Sequence, residues 1–468
     1  MSAGRATANF AYLPSIVLVE IYKYLPFQDK LRASSSCKAW RECLFHPRFW
    51  TKLNIKFCLK KNCWRRAEFL SKKCGRFLRY VTLEFDCTSA NIIQQCVAVL
   101  TQLGENRMLH SLTLRPTACV VDWPYVANGC SNENETFAVY DRFLEAIKQV
   151  IRTSTNLEHL SLGGLEDLLH HSDHLLGLLS LHHRHTLSHL HLASVKDNPD
   201  HYPIPEIRLG LLSVFSRLRT LSIDYDYVCD HLLLLLADKV APLSKLILHV
   251  HGLEDSYQKS IKDSSWSRLA SSAPQLRVTL ILLHTCEPFT AVESLLCPSM
   301  PLAEFSSYYS DAFRGEVLDY LWGRYAETLC AVKVVNALTE EDAIPHRTFL
   351  LRAESPVVML AWRCHRLASL QLVGHEIADT DLIAVARLRG PQLKELRIPL
   401  DCVSEGGSGA PYYSELCPTD IQRLEAEVST SLQCKWTLDN TQSPVEVEHG
   451  AFRSYLKSVQ LLQGYAET

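Results

Sequence analysis

The sequence predicts an α/β fold in which three short N-terminal helices precede a solenoid with a curved parallel sheet and outer helices. Near the N-terminus, apolar residues recur at intervals of three and four, which is the spacing of one helix face. Farther along, a leucine pattern returns mostly at intervals of 25 to 33 residues, which indicates stacked strand–helix repeats. The chain has 468 residues and 47% hydrophobic content, so it can bury the core that such a fold needs.

Composition and charge argue against several classes of protein. A net charge of −3 gives no overall attraction to nucleic acid or to an anionic membrane surface. The N-terminus lacks the basic and apolar stretches of a signal peptide, and no segment reaches the roughly 18 apolar residues of a membrane span. We therefore expect a cytoplasmic or nuclear protein, or one found in both compartments. The 17 cysteines are scattered without a Cys-x-x-Cys pair, which argues against a disulfide framework or a zinc ribbon.

The first folded unit is predicted at residues 12–55. One helix opens at Pro14 and stops at Pro26, and its apolar face holds Val17, Leu18, Ile21, Tyr22 and Leu25. A second helix begins near Asp29, a good N-cap, and a third segment follows the break at Pro47. Because about forty residues make only a small core, part of this apolar surface should dock on a partner.

The order of residues in this unit resembles the F-box motif. The matching positions are Leu13-Pro14, Ile21, Tyr24-Leu25-Pro26, Asp29, Leu31, Cys37-Lys38, Trp40, Pro47 and Trp50. Within the F-box family, the stretches 32–34 and 40–44 resemble the F-box only protein 33 branch, whose repeats are irregular. The resemblance implies binding of the Skp adaptor protein and, through it, attachment to a cullin and a RING subunit. The residues that it implies in adaptor binding are Leu13, Pro14, Ile21, Leu25, Pro26, Leu31, Cys37 and Trp40.

Residues 77–400 are predicted to form an irregular leucine-rich-repeat solenoid. In the pattern Leu-x-x-Leu-x-Leu, with Val or Ile allowed, a short strand turns its leucines inward and the returning segment supplies a helix. A buried leucine contributes roughly 1.5–3 kcal/mol, but only if the next repeat covers it. Clear copies begin at Leu78, Leu109, Leu157, Leu187, Leu218, Leu243, Leu329, Leu367 and Leu393, and degenerate copies at Leu276 and Leu302.

Helix signals lie between these copies. Ser89 precedes a run at helical spacing that stops at Gly104, and Asp379 precedes another that stops at Gly390. Residues 126–136 have the composition of a surface loop. The last segment, 401–468, is predicted to form a loop and a C-terminal cap, with helical spacing at Phe452, Tyr455, Leu456, Val459 and Leu462.

Residues 56–76 are predicted as a basic linker. From Lys52 to Arg79 the chain holds ten basic residues and the single acid Glu68, interleaved with aromatic residues. Such a segment could grip a phosphate backbone, which would make the chain an RNA-binding repeat protein. Its place between the helical unit and the first repeat favours a helix whose aromatic side chains are buried and whose charges face solvent or an acidic partner.

Residues 170–191 contain eight histidines, two pairs of which have the spacing His-x-x-His from His171 and His182. This spacing could hold zinc. Repeat proteins carry surface histidines freely, however, so we favour a solvated or pH-sensitive face. We predict no metal site and no cofactor.

The sequence shows no Gly-rich phosphate loop, no Gly-x-Ser-x-Gly elbow and no His-Glu-x-x-His helix, so we predict a non-catalytic subunit. The predicted function is that of a substrate-recognition adaptor of an SCF-type (Skp-cullin-F-box) ubiquitin ligase, which recruits a target for ubiquitination and proteasomal degradation. The alternatives are a leucine-rich-repeat scaffold outside any ligase and the RNA-binding repeat protein. The alternative to an F-box in residues 12–55 is an unrelated helical cap on the solenoid.

A concave face is the predicted site of target binding. Residues between the inward leucines should project from it as one exposed row: Thr82, Thr113, Ser161, His191, Ser222, Ile247, Lys333, Gln371 and Arg397. The target is predicted to contact the central part of this face, through His189, His191, Thr220, Ser222, Lys245 and His249. The histidines there would make binding depend on pH between about 6 and 7.5.

Overall fold

The computed structural model describes residues 13–57, 63–118, 133–196, 203–238, 242–251, 261–285, 289–310, 313–338, 345–346, 349, 354–406, 416–440 and 443. These residues belong to two compact units. Unit one lies within Met1–Pro116 and Asp122–Leu160, and unit two within Thr117–Val121 and Ser161–Thr468. No helix in the described ranges is long and apolar enough to cross a lipid bilayer.

Unit one begins with helices α1 (Ser15–Tyr24), α2 (Phe27–Ser34) and α3 (Lys38–Leu44). Three short helices were predicted, but the boundaries differ, because the helix expected from Asp29 onward is divided into α2 and α3. The division follows three consecutive serines, whose hydroxyl groups compete with the helical backbone: Ser34 Oγ donates to the Leu31 carbonyl at 2.6 Å. The segment after the break at Pro47, which was predicted as the last of the three helices, forms a single 3₁₀ turn at Pro47–Phe49 and then a strand.

The rest of unit one repeats strand and helix. Its elements are β1 (Lys52–Lys56), α4 (Cys63–Cys74), β2 (Tyr80–Phe85), α5 (Ala90–Leu103), β3 (Ser111–Pro116) and α6 (Glu133–Thr153). Strands β1, β2 and β3 are parallel neighbours in that order. The segment 56–76, which was predicted to form a basic linker helix, contains α4, and this helix joins two parallel strands of the repeat series. The last residues of the predicted loop 126–136 likewise belong to α6, and the others lie outside the described residues.

Strand β4 (His159–Ser161) lies where the two units divide. Unit two continues the alternation with α7 (Glu166–Leu169), α8 (Ser172–His182), β5 (His189–His191), β6 (Thr220–Asp224), α9 (Asp230–Ala237), β7 (Lys245–Val250), α10 (Asp263–Ser272), β8 (Arg277–Leu283), α11 (Phe289–Leu295), β9 (Leu302–Tyr308), α12 (Gly315–Tyr325), β10 (Ala331–Val335), α13 (Pro356–Arg363), β11 (Ser369–Val373), β12 (Ile377–Ala378), α14 (Asp379–Arg389), β13 (Glu395–Arg397), β14 (Val403–Ser404) and α15 (Pro418–Leu432). Strands β5 to β11, followed by β13, form one parallel series, and β12 pairs with β14.

Every predicted leucine copy coincides with one of the strands β2 to β11 or with β13, including the two degenerate copies. The inward residues are fully buried: Leu190, Leu221 and Leu370 are each 0% exposed. Helix α9 turns Leu232, Leu233 and Leu236 toward the same kind of core. The predicted leucine-rich repeats are confirmed, because each strand buries the residues that its spacing assigns to the core.

The helix boundaries also follow their signals. Helix α5 starts after Ser89 and ends before Gly104. Helix α14 ends at Gly390, whose φ of 51° lies in the left-handed region that favours glycine. In the predicted C-terminal segment, α15 is the described helix, and the apolar residues from Phe452 to Leu462 lie outside the described residues.

Candidate functional site

We call helices α1 to α3 and the segment up to Trp50 the F-box unit. Its core is formed by side chains from its first helix and from its last residues. Tyr22 in α1 is fully buried, and its ring lies 5.5 Å from that of Trp40 and 5.8 Å from that of Phe49. Burial raises the pKa of Tyr22 to about 12, so its hydroxyl stays protonated and donates to the Trp40 carbonyl at 2.9 Å. The indole Nε1 of Trp50 donates to the Leu44 carbonyl at 2.7 Å. These contacts fix α1 against α3.

The residues that the motif assigns to adaptor binding all remain accessible. Pro14, Pro26 and Leu31 are exposed, and the other five are partly exposed: Leu13, Ile21, Leu25, Cys37 and Trp40. Leu31 leaves 41% of its surface in solvent. A side chain that is neither buried nor charged is available to a partner at little folding cost. The structure thus leaves these eight residues accessible around the three helices.

Three further apolar residues of this unit, which the motif did not assign to adaptor binding, are also exposed. Tyr24 is 86% exposed, Ile16 72% and Val17 40%. The signal was present: Ile16 to Val19 form four consecutive apolar residues, which is more than one stripe of a helix can bury. The pattern was read for its helical spacing alone. Together with the eight assigned residues, these three form what we call the F-box surface.

The basic helix α4 packs beside the F-box unit through aromatic rings. Phe45 stacks on Trp50 at 6.1 Å and meets Phe69 of α4 edge-on at 5.6 Å. The cations Arg65 and Arg66 are exposed on the same helix. Ring contacts therefore hold α4 and its cations face outward, but Phe69 is 47% exposed, so the predicted burial of the aromatic side chains holds only in part.

The predicted concave face in unit two is not the exposed surface that was expected. Four of the six residues assigned to target binding are buried: His191 is 2% exposed, Thr220 7%, Ser222 0% and His249 0%. The remaining two, His189 and Lys245, are half-buried. In the longer row, Ser161 and Ile247 are buried as well, while Lys333 and Gln371 are partly exposed and Arg397 is exposed. In unit one, Thr113 is buried and Thr82 is partly exposed.

A second apolar cluster explains part of this burial. Val195, Ile247, Ile281, Leu283 and Tyr308 pack together, and all five are buried. Ile247 stands between two inward leucines, so it projects to the opposite side of its strand. The continuous apolar run from Leu246 to Leu248 is the signal of a strand that is buried on both faces. The exposed row was predicted from a strict alternation of buried and exposed residues along each strand, and this alternation does not hold in that strand.

A buried polar network lies beside this cluster. Asp224 is 0% exposed and accepts hydrogen bonds from the Ser194 amide and hydroxyl, both at 2.8 Å. Lys196 Nζ lies 3.5 Å from Asp224 Oδ2, and His251 Nε2 lies 3.8 Å from Asp224 Oδ1. Burial opposes the charge of Asp224, but Lys196 and the two neighbouring histidines hold the pKa of this carboxyl well below its ordinary value.

His249 belongs to the same network. Its Nδ1 lies 2.7 Å from the Ser194 carbonyl, and that contact requires this nitrogen to carry the hydrogen. Burial lowers the pKa of His249 to about 4. This residue is therefore neutral throughout the range from pH 6 to 7.5, and the predicted titration in that range does not apply to it.

The His-rich segment is largely a surface. His170, His174, His182 and His185 are exposed, and His171 is half-buried. Neither His-x-x-His pair belongs to a group of potential metal ligands among the described residues. The described residues do contain one such group, Asp224, His249 and His251, in a place where the sequence predicted no metal.

Comparison with known proteins agrees with the N-terminal geometry. Residues 10–56 match the F-box-like family. F-box only protein 33 of Mus musculus is 27% identical to this chain, covering 92% of the chain and 83% of that protein. F-box/LRR-repeat protein 21 of Mus musculus is 24% identical, covering 83% of the chain and 82% of that protein. A chain in the crystal structure of the yeast Rad7 and Elc1 complex is similar to this one at 15% identity and a TM-score of 0.43. The match covers 87% of this chain and 92% of that chain.

The predicted resemblance is confirmed by these matches. The accessible apolar residues around α1 to α3 lie inside the matched range, and the parallel strands with their helices occupy the rest of the described chain. The chain carries an F-box-like domain at its N-terminus and is similar, over most of its length, to F-box only protein 33 and to F-box proteins with leucine-rich repeats.

Proposed function

We propose that this chain is a substrate-recognition adaptor of an SCF-type ubiquitin ligase. One observation carries the proposal: the F-box surface leaves large apolar side chains in solvent, with Tyr24 86% and Ile16 72% exposed. Contiguous apolar exposure of this kind marks a protein interface. The match to the F-box-like family supports the Skp adaptor as the partner that covers it, with a cullin and a RING subunit joined through that adaptor.

Anchor residues of the F-box surface would supply most of the binding energy. Trp40 and Leu25 are large and partly exposed, and the ring of Tyr22 packs against that of Trp40. A supported aromatic side chain loses little conformational freedom on binding, and such residues dominate interface energies. The rest of the surface would exclude water around them.

The target would bind to unit two, toward the later repeats. Lys333 and Gln371 are partly exposed and Arg397 is exposed, whereas the earlier members of the row in this unit, from Ser161 to Ile247, are buried. Lys333 Nζ lies 3.3 Å from Glu395 Oε2, so both charges are available at this face. Ubiquitin transfer would then depend on positioning, because a held target presents its lysines to a loaded conjugating enzyme at high effective concentration.

The direct test is replacement of two anchors, Leu25→Ala with Trp40→Ala, in the full chain. Each truncation should cost a few kcal/mol of binding, so co-precipitation of the Skp adaptor should be abolished. Leu181→Ala is the control, because Leu181 is 72% exposed on α8 of unit two. Circular dichroism checks that the repeats remain folded. Undiminished co-precipitation of the double variant would refute the F-box assignment.

The RNA-binding alternative is tested separately with Arg65→Glu and Arg66→Glu. Both side chains are exposed on α4, so the reversal should leave the fold intact. Adaptor binding should change by less than about threefold, as for most surface substitutions. If the unmodified chain retains RNA in a salt-dependent manner and the reversal removes this retention, the alternative is supported instead.

A further inference from the structure

The carboxyl ends of β6 and β7 bring three metal-ligand side chains to one face of unit two. Asp224 is paired in register with His249 across the two parallel strands. His251 lies two residues beyond His249, which puts it on the same side of an extended chain. One ligand atom from each residue lies within 4.8 Å of the other two. Strand register, rather than chance proximity in a loop, therefore assembles the group.

From this geometry we propose that Asp224, His249 and His251 bind a divalent transition-metal ion of the Zn²⁺ class. Two imidazoles and one carboxylate are a donor set that suits Zn²⁺. Zn²⁺ holds such ligands at roughly 2.0–2.2 Å, which places tetrahedral ligand atoms about 3.4 Å apart. The 3.8 Å between His251 Nε2 and Asp224 Oδ1 is close to that value, and the three ligand atoms all lie within 4.8 Å of one another.

Neighbouring groups fix the orientation of the proposed ligands. The contact of His249 Nδ1 with the Ser194 carbonyl fixes the ring and makes Nε2 the nitrogen that would face the metal. Ile281 is paired in register with His249, and Ile247 lies two residues before His249, so both apolar side chains lie beside the group.

Lys196 is the competing feature of the site. Its Nζ, 3.5 Å from Asp224 Oδ2, supplies the positive charge that a bound cation would bring. Binding of Zn²⁺ therefore requires this ammonium group to move away or to lose its proton. Three protein ligands would leave one tetrahedral position for a water molecule. The alternative to a metal site is a purely structural ion pair formed by the same residues. The two interpretations differ at Lys196, because its positive charge stabilises the ion pair but competes with a bound metal.

The test measures Zn²⁺ alone on the full chain, co-purified with the Skp adaptor without a polyhistidine tag. After removal of metals by a chelator and dialysis, one Zn²⁺ per chain should bind, as measured by mass spectrometry of metal content. His251→Ala and Asp224→Asn should weaken binding by more than the roughly 10–100-fold that loss of an outer-shell partner costs. Lys196→Met should instead tighten binding, because it removes the competing charge.

Two controls keep the result interpretable. The double replacement His174→Ala with His182→Ala, at exposed positions of the His-rich segment, should leave Zn²⁺ binding unchanged. The milder His251→Gln, with circular dichroism, separates loss of a ligand from loss of folding. Absence of bound Zn²⁺ from the unmodified chain would overturn the proposal. So would binding that survives His251→Ala and disappears with the surface pair.

Discussion

The adaptor-binding residues in unit one and the concave face in unit two were both predicted from sequence patterns. The structure leaves the first accessible and buries most of the second. The eight adaptor-binding residues stay accessible, with Leu31 41% exposed. Four of the six target-binding residues are buried, with His249 and Ser222 both 0% exposed. A motif that contains more apolar residues than its small core can use predicts an accessible surface well. Strand periodicity predicts which residues lie opposite the core, but not whether another layer covers them.

The largest effect that would sharpen this contrast concerns Ile281, in the apolar cluster of unit two. Ile281→Ala should lower the free energy of unfolding by about 2–5 kcal/mol, because it leaves a cavity among buried residues. Chemical denaturation of the full chain measures the change. Leu181→Ala, at a position 72% exposed, should change it by less than about 0.5 kcal/mol. Equal small effects of both variants would mean that the concave face is not packed.

The buried network of unit two should make stability depend on acid. The pKa of His249 falls from 6.5 to about 4 in the folded chain, so the unfolded state binds the proton more readily. The stability is fully present above about pH 6.5 and is lost as pH falls toward 4, by about 3 kcal/mol. In metal-free buffer, His249→Gln should flatten the fall of the unfolding free energy across this window by that amount.

Asp224, Lys196 and His251 face His249 and remain in that variant, so its difference from the unmodified chain reports the loss of the His249 ring together with the effect of that loss on these neighbours. His284 has a pKa lowered by burial to about 4 and should still give the variant a residual slope. An unchanged slope in His249→Gln would contradict the buried, neutral state of this ring.

A smaller effect distinguishes residues that hold the F-box unit together from those that dock. Trp50→Phe removes the donor to the Leu44 carbonyl and should cost about 1–3 kcal/mol of stability. Adaptor affinity should change by less than about threefold, because Trp50 is only 6% exposed and does not belong to the F-box surface. Thermal unfolding and adaptor titration measure the two quantities. A large loss of affinity without loss of stability would place Trp50 in the interface.

Much of the fold was predictable because inward leucines repeat at fixed spacing. Strand β1 was missed because a tryptophan occupies the first leucine position, in the order Trp50, Leu53, Ile55. The helix predicted in the linker is present, but its place inside a repeat was not predicted, since without β1 no repeat encloses it. Spacing rules depend on burial, and a large aromatic side chain fills the same place in the core as a leucine.

The candidate sites were predictable only in part. The motif assigned Leu31 and Trp40 to adaptor binding, whereas the 86% exposure of Tyr24, which also stands in the motif, is seen only in the structure. Asp224 and His249 lie in successive repeats and meet through strand register, which sequence spacing alone does not reveal. Local motifs show residues that act within one helix or turn, whereas ligands contributed by successive repeats require the sheet.

The most direct test of the account compares two leucines of equal exposure in different units. Leu31 in the F-box surface is 41% exposed, and Leu388 on α14 of unit two is 38% exposed. Titration of purified Skp adaptor onto the full chain should show that Leu31→Ala weakens binding about tenfold, the loss of about 1.4 kcal/mol that we expect if Leu31 is an anchor of the interface. Leu388→Ala should leave the dissociation constant within about twofold. Equal dissociation constants for the two variants would contradict the claim that the F-box surface is the docking site.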